Sequence, residues 1–353
     1  MRVLESGRIT LPPGAVQARR FASRNLLTVH RRRERIAAAI LPPPLRGTVR
    51  ELDAELADLA LDRSIGEELR IALESWTRRA GEWLLLRDYD ASARRRSTLF
   101  LFESGHEQPF VVVKFRPAGA AGADLEAELR ILGSIRPRLT DPIRDAVPSP
   151  LDFARSAEGE LLFLSFLPGR PLAISMQRSI RPYRAHLEHL ASAGAWLGGF
   201  HRGTAERTLS GRADDRAAVH GDFWPRNLLF AASGSLTGIV DWEHARPYGP
   251  TFRDLFTLLF LFAMARGSQR TGPARFRRAF IDSAPPAAAV QRCLRAYCRA
   301  ASIDYARLRD LFEHFLTDSE DLAGKEETGW RREHDWPELR RILARADRSV
   351  FSG

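Results

Sequence analysis

The sequence predicts an α+β protein in two lobes, a small antiparallel β-sheet followed by a mostly α-helical part, with a helical extension ahead of both. Three observations predict it. Short apolar runs bounded by turn residues, at 83–87, 98–103, 110–115 and 161–167, read as strands. Past Pro168-Gly169 the apolar residues recur at helical spacing, as in Leu187, Leu190, Leu197 and Phe200. Between the helical runs, His220 to Asp254 sets carboxylates and a carboxamide at fixed offsets around two short apolar segments. The expected divisions are 1–80 for a basic arm and helical extension, 81–167 for a five-strand small lobe, and 168–353 for the helical lobe.

Composition narrows the class. A chain of 353 residues, 44% apolar and 28% charged, is long enough for a sizeable core and reads as soluble and globular. Its longest apolar run, 255–265, is well short of the roughly 20 residues that span a bilayer, so it is expected to be a buried helix. The two cysteines, Cys293 and Cys298, form neither a CxxC nor a zinc pattern and are expected to be reduced core thiols of a cytoplasmic protein. Arg19-Arg20 resembles a twin-arginine start, but no apolar stretch follows and secretion is not expected. The net charge of +10 is concentrated at the start, where residues 1–50 hold eleven Arg against two Glu. Such an arm suits nucleic acid, an anionic membrane or an acidic partner; a solvated leader is the plainer expectation.

In chain order, Leu41-Pro-Pro-Pro-Leu45 is a stiff connector. Thr48 with Glu51 and Ser64 with Glu67 have capping-box spacing and open expected helices at 49–61 and 65–79. Leu69, Leu73 and Trp76 line one face of the second and are expected to pack in the core. The strand at 110–115 carries Lys114. Of the 54 basic residues only Lys114 and Lys325 are lysines, so a lysine within Val-Val-Val-Lys-Phe stands out. A compact ammonium fits between phosphates and a carboxylate where a guanidinium fork does not. Its partner is expected on the next helix, 124–135. Glu128, in step with Leu132 and Ile135, is the first choice and Glu126 the alternative.

The stretch from His220 reads His-Gly-Asp222-Phe-Trp-Pro225-Arg-Asn227, then Leu-Leu-Phe, a Ser-Gly-Ser turn, Ile239-Val-Asp241-Trp-Glu, and Gly249-Pro-x-x-x-Asp254-Leu. Asp222 and Asn227 share an irregular loop, and a hairpin returns Asp241 beside them. Phosphoryl transfer needs such a set: one carboxylate for the attacking hydroxyl, and a second carboxylate with an amide oxygen for Mg²⁺. Hard oxygen donors suit Mg²⁺, and no Cys or paired-His cluster suggests zinc.

These motifs resemble the aminoglycoside phosphotransferase / choline kinase superfamily, of protein-kinase-like fold, with Gly221 where protein kinases usually have Arg. The resemblance implies Asp222 as catalytic base, Asn227 and Asp241 as metal ligands, and Asp254 as a structural anchor of the following helix. It implies ATP and Mg²⁺ as cofactors. It makes 161–167 the segment joining the lobes, where Ser165 would offer its carbonyl and Leu167 its N–H to adenine, beside Leu164. His220 is expected to be structural, and His201 a hydrogen-bonding residue at a helix end. The resemblance does not reach residues 1–80, and the hairpin at 89–98 has no glycine; Arg94, Arg95 and Arg96 there are either phosphate contacts or a solvated run.

The expected activity is therefore ATP-dependent O-phosphotransfer to a small-molecule hydroxyl, aminoglycoside-like or another amine or sugar. An acidic segment, 318–327, edged by Trp330 and Trp336, is the one candidate for a cationic acceptor. The competing reading is a catalytically silent kinase-like module that docks through its basic arm.

Overall fold

Alternation of apolar residues builds a sheet whose two faces separate by parity. The computed structural model describes residues 7–12, 14–26, 66–88, 96–120, 124–178, 186–265, 271–324 and 330–352. The expected helix at 49–61, the Ser64 cap and Arg94–Arg95 lie outside these residues. The strands are β1 (Gly7–Thr10), β2 (Ala80–Asp88), β3 (Ser97–Glu103), β4 (Val111–Pro117), β5 (Pro150–Arg155) and β6 (Gly159–Ser165). They form one antiparallel sheet in the order β1-β2-β3-β4-β6-β5.

Odd-numbered residues of β2, β3, β4 and β6, among them Trp83, Leu85, Leu99, Leu101, Val111, Val113, Phe115, Leu161 and Phe163, share one buried cluster with Leu69 and Leu73. Those two leucines lie on a helix at Glu67–Thr77, and both are fully buried. Burying each contributes about 2 kcal/mol of transfer free energy. Trp76 stacks on Phe163 with ring centroids 5.5 Å apart and donates its indole N–H to Asp152 Oδ2. The apolar stripe read from the sequence is thus core, as expected.

The sheet has six strands where five were expected. The sixth, β1, comes from the basic leader: Gly7 pairs with Asp88 and Thr10 with Leu85. A helix at Val16–Phe21 follows and packs on the even-numbered face. This part of the leader is therefore folded. Four residues reading Gly-Arg-Ile-Thr carry too little apolar periodicity to mark a strand without the partner edge that completes it.

The chain folds into two compact units, Met1–Gly133 with Val147–Arg170, and Ser134–Ala146 with Pro171–Gly353. The α+β class expected from the sequence is what the chain adopts, with the sheet in the first unit and most helices in the second. In the second unit the helices Leu187–Thr204 and Pro285–Ala301 approach closely because Gly194 and Gly198 face the partner. A Cβ on Gly194 would lie 2.5 Å from the carbonyl oxygen of Cys293, and one on Gly198 would lie 2.5 Å from that of Tyr297. Cys293 and Cys298 on that second helix are buried free thiols; burial pushes the Cys298 pKa up to about 12.

The helix at Thr251–Ala265 is buried along most of its length, which explains its continuous apolar run. Among the described residues no helix is long and apolar enough to cross a membrane. A last helix, Trp336–Ala344, was not foreseen. Asp335 caps it by accepting the N–H of Glu338 at 3.0 Å, and Trp336 stacks on Phe260 at 4.9 Å.

Candidate active site

Within the second unit, two antiparallel strand pairs place the conspicuous polar residues. Leu228–Phe230 pairs with Leu236–Ile239, and Arg216–Val219 pairs with Arg246–Pro250. The loop from His220 to Asn227 leaves the Arg216–Val219 strand and enters the Leu228–Phe230 hairpin. That hairpin was expected; the second pair was not.

The loop is held from both ends. Asp254, in the first turn of its helix and 2% exposed, accepts the N–H of His220 through Oδ2 at 2.6 Å and that of Gly221 through Oδ1 at 3.0 Å. The imidazole of His220 is fully buried. Its Nε2 lies 3.1 Å from the carbonyl of Val240, and its Nδ1 accepts the N–H of Asp222 at 3.3 Å. This pair of contacts fits the neutral ring with its proton on Nε2, and burial holds the pKa of His220 below the usual imidazole range. Trp242 packs edge-on against it at 4.8 Å.

Gly221 is required here twice over. Its φ is +79°, and a Cβ would sit 2.3 Å from the carbonyl oxygen of His244. Gly221→Ala is expected to lower stability by about 2 kcal/mol or more, from left-handed strain and the collision with a backbone atom. Urea denaturation measures it, and a midpoint equal to the wild type would contradict this account.

Asn227 ties the loop to the hairpin. Its Nδ2 donates to the backbone oxygen of Asp222 and to Asp222 Oδ2, both at 3.0 Å. Its backbone oxygen accepts the N–H of Val240 at 3.0 Å. Asp241 follows Val240 directly, with φ 71° and ψ 63°, the left-handed conformation that few non-glycine residues adopt. Asp222, Asn227 and Asp241 are thus joined by short links, as the hairpin reading expected. Burial pushes the Asp222 carboxyl above the usual range, and the charge of Asp241 adds to the shift. With Nδ2 engaged by Asp222, Oδ1 is the Asn227 atom left as a donor to a cation. That oxygen and the Asp241 carboxylate are hard ligands and fit Mg²⁺.

His201 lies beneath this loop. Its Nδ1 is 2.9 Å from the Tyr297 hydroxyl and its Nε2 is 3.9 Å from Asp254 Oδ2. Nothing in the sequence links Tyr297 to this cluster; only the close helix packing brings it there.

In the first unit, Lys114 Nζ donates to both oxygens of Glu128 at 2.8 Å. The Lys114 side chain is 16% exposed and that of Glu128 fully buried. Glu126 is instead bound by Arg155 at 2.8 Å. Glu160, which sequence reasoning passed over, accepts the N–H of Leu125 at 2.8 Å and so caps the helix Leu125–Ile135 that carries Glu128. Lys114→Ala takes the cation from a buried carboxylate and is expected to cost about 3 kcal/mol of stability. The double variant with Glu128→Ala is expected to recover part of that loss, and strict additivity in a double-mutant cycle would contradict the coupling.

Ser165 donates its N–H to the carbonyl of Ser149 at 2.9 Å, and its Oγ accepts the Ser149 N–H at 2.8 Å. Leu167 is buried and Leu164 is 5% exposed. In the acidic segment near 318, two of the carboxylates already have cationic partners. Asp318 is engaged by Arg253 through two bonds of 2.7 and 2.8 Å, Glu320 by Arg340 at 3.0 Å, and Trp336 is buried. Asp321 is exposed, while Glu326 and Glu327 lie outside the described residues.

A carboxylate raised by burial, a carboxamide bonded to it, and a second carboxylate at the end of the adjoining hairpin are thus gathered within one loop and strand pair. Residues 201–311 match the model of the phosphotransferase enzyme family, and this match covers His220, Asp222, Asn227, Asp241 and Asp254. The resemblance carried by the motifs is thereby borne out over that stretch, and it supports phosphotransferase activity. Among solved structures, an aminoglycoside phosphotransferase from Streptomyces rimosus aligns at 15% identity and TM-score 0.38, over 64% of this chain and 96% of its own. An aminoglycoside-3'-phosphotransferase of type VIII aligns at 14% identity and TM-score 0.37, over 72% of this chain and 88% of its own. No curated protein matches the chain significantly.

Proposed function

We propose that the chain transfers the γ-phosphoryl group of ATP to the hydroxyl of a small molecule, with Mg²⁺ as the metal. The observation that carries the reading is the coupling of Asp222 to Asn227 through Nδ2, one backbone bond away from the strand that delivers Asp241. Asp222 acts as the base: the acceptor oxygen bonds to the γ-phosphorus, its proton passes to Asp222, and the bond to the β,γ-bridging oxygen breaks to release ADP. Positioning and charge neutralisation supply most of the acceleration, so the proton moves late. Mg²⁺, when bound, offsets charge on the transferring phosphoryl group. Asn227 Oδ1 and the Asp241 carboxylate would hold it. Lys114, oriented by Glu128, contacts the nucleotide phosphates, while the Ser165 carbonyl and Leu167 N–H pair with the base.

The test is transfer of labelled phosphate from ATP into a library of hydroxyl compounds, read by mass, with amine- and sugar-bearing acceptors such as aminoglycosides first in the panel. One phosphorylated acceptor and stoichiometric ADP are expected. No ATP consumption across the panel, together with no thermal stabilisation by MgATP, would overturn the reading in favour of a silent module.

A further inference from the structure

The family match begins at residue 201, so it says nothing of the N-terminal leader. The structure docks part of that leader on a particular face. Register pairs Lys114 with Thr98, Val112 with Phe100, and Phe100 with Leu84, so these even-numbered residues share one side of the sheet. On the same side β6 pairs Leu162 with Lys114 and Leu164 with Val112. Residues 14–26 lie on that side. Ala15, Ala18, Phe21 and Ala22 form a buried cluster with Leu84 and Phe102, edged by Leu86, Phe100 and Phe166.

Phe21 is its centre. It is 5% exposed, with ring centroids 5.3 Å from Phe100, 5.5 Å from Phe102 and 5.7 Å from Phe166. Phe166 is the residue between Ser165 and Leu167. The segment is fixed at further points: the N–H of Ala18 donates to Glu82 Oε2 at 2.9 Å, and Arg20 and Arg24 both bind Glu107. Between this cluster and Lys114, the side chains of Leu86, Thr98 and Val112 remain half-buried. An apolar strip is therefore bordered by an aromatic cluster on one side and by an ammonium held at Glu128 on the other.

We propose that residues 14–26 form one wall of the nucleotide site, with the purine on the strip at Leu86, Thr98 and Val112. Phe21 is a positioning residue: through Phe166 it fixes the 165–167 segment whose backbone groups meet the base. The inference rests on the nucleotide reading of the preceding section and adds an element from outside the matched family region. It follows that the leader tunes affinity for the base and not for the phosphates.

The test uses the full chain and two probes, MgATP and magnesium tripolyphosphate, which has the phosphates and no base. Phe21→Ala is expected to weaken MgATP binding about tenfold in a calorimetric titration and to leave tripolyphosphate binding unchanged. Phe21→Leu, which keeps apolar volume and so guards against a folding failure, is expected to weaken MgATP about threefold with the same selectivity. Arg70→Ala, on the helix Glu67–Thr77 that covers the opposite face of the sheet, is expected to alter neither affinity. Equal weakening of both probes, or a lowered melting temperature with unchanged affinities, would reduce Phe21 to a structural role and overturn the inference alone. Failure of the wild type to bind MgATP would overturn the nucleotide reading and this inference with it.

Discussion

Asp222→Asn is expected to lower kcat by about a thousandfold while leaving the fold intact. The substitution keeps the shape of the side chain, and a carboxamide oxygen accepts the Asn227 Nδ2 bond that Asp222 Oδ2 accepts at 3.0 Å. What it removes is the charge and the capacity to take a proton. Stability is expected to move the other way. Burial holds the Asp222 pKa above that of an unfolded chain, so the ionised group costs stability at any pH above its folded pKa, and the cost is relieved as pH falls through that value. The variant lacks this cost. It is expected to be at least as stable as the wild type at neutral pH, with the difference shrinking on acidification. Steady-state kinetics and thermal unfolding at two pH values measure both arms. Wild-type turnover in Asp222→Asn would remove Asp222 from the role of base.

Asp241→Asn is expected to abolish turnover and, with it, the Mg²⁺ dependence of nucleotide binding. Asparagine is the informative replacement because Asp241 sits at φ 71°, where asparagine is tolerated and alanine is strained by about 1–2 kcal/mol. The asparagine variant therefore reports on the lost charge and not on backbone strain. In the wild type, MgATP at a hundred times its Kd is expected to add about 2.7 kcal/mol of stability, an increment lost when EDTA replaces Mg²⁺. In Asp241→Asn the two conditions are expected to coincide. A persistent Mg²⁺-dependent shift would place the metal elsewhere. Loss of the like charge is also expected to lower the Asp222 pKa toward the usual carboxylate range, which NMR titration reads directly.

Much of the site was legible because its chemistry is local. Asp222 and Asn227 lie five residues apart in one loop, and the hairpin that returns Asp241 is announced by Leu-Leu-Phe, Ser-Gly-Ser and Gly-Ile-Val in sequence. Lys114 was visible against a background of arginines, and Glu128 by its step with Leu132 and Ile135. What escaped depends on partners distant in sequence. Glu160 reads as an ordinary strand residue until the helix opening at Leu125 is laid over it. Tyr297 meets His201 only because Gly194 and Gly198 let two helices close in. Strand β1 is four residues with little pattern, formed by an edge that awaits a partner. The strand Pro150–Arg155 is largely solvated, so no alternation marks it. Asp318 and Glu320 looked available in sequence because nothing local foretells Arg253 or Arg340.

The parity of the sheet sets a rule for how this protein can change length. Inserting or deleting one residue in β4 upstream of Lys114 would turn the ammonium from the Glu128 side into the cluster of Leu69 and Leu73, and bring an apolar neighbour out in exchange. The turn at Ser104-Gly105 before β4 carries no such parity, since the pairing of β3 with β4 begins only at Val111, although the φ of +82° at Gly105 favours glycine there. Indels among descendants of this gene are thus expected to accumulate at 104–109 and to be purged from 111–117.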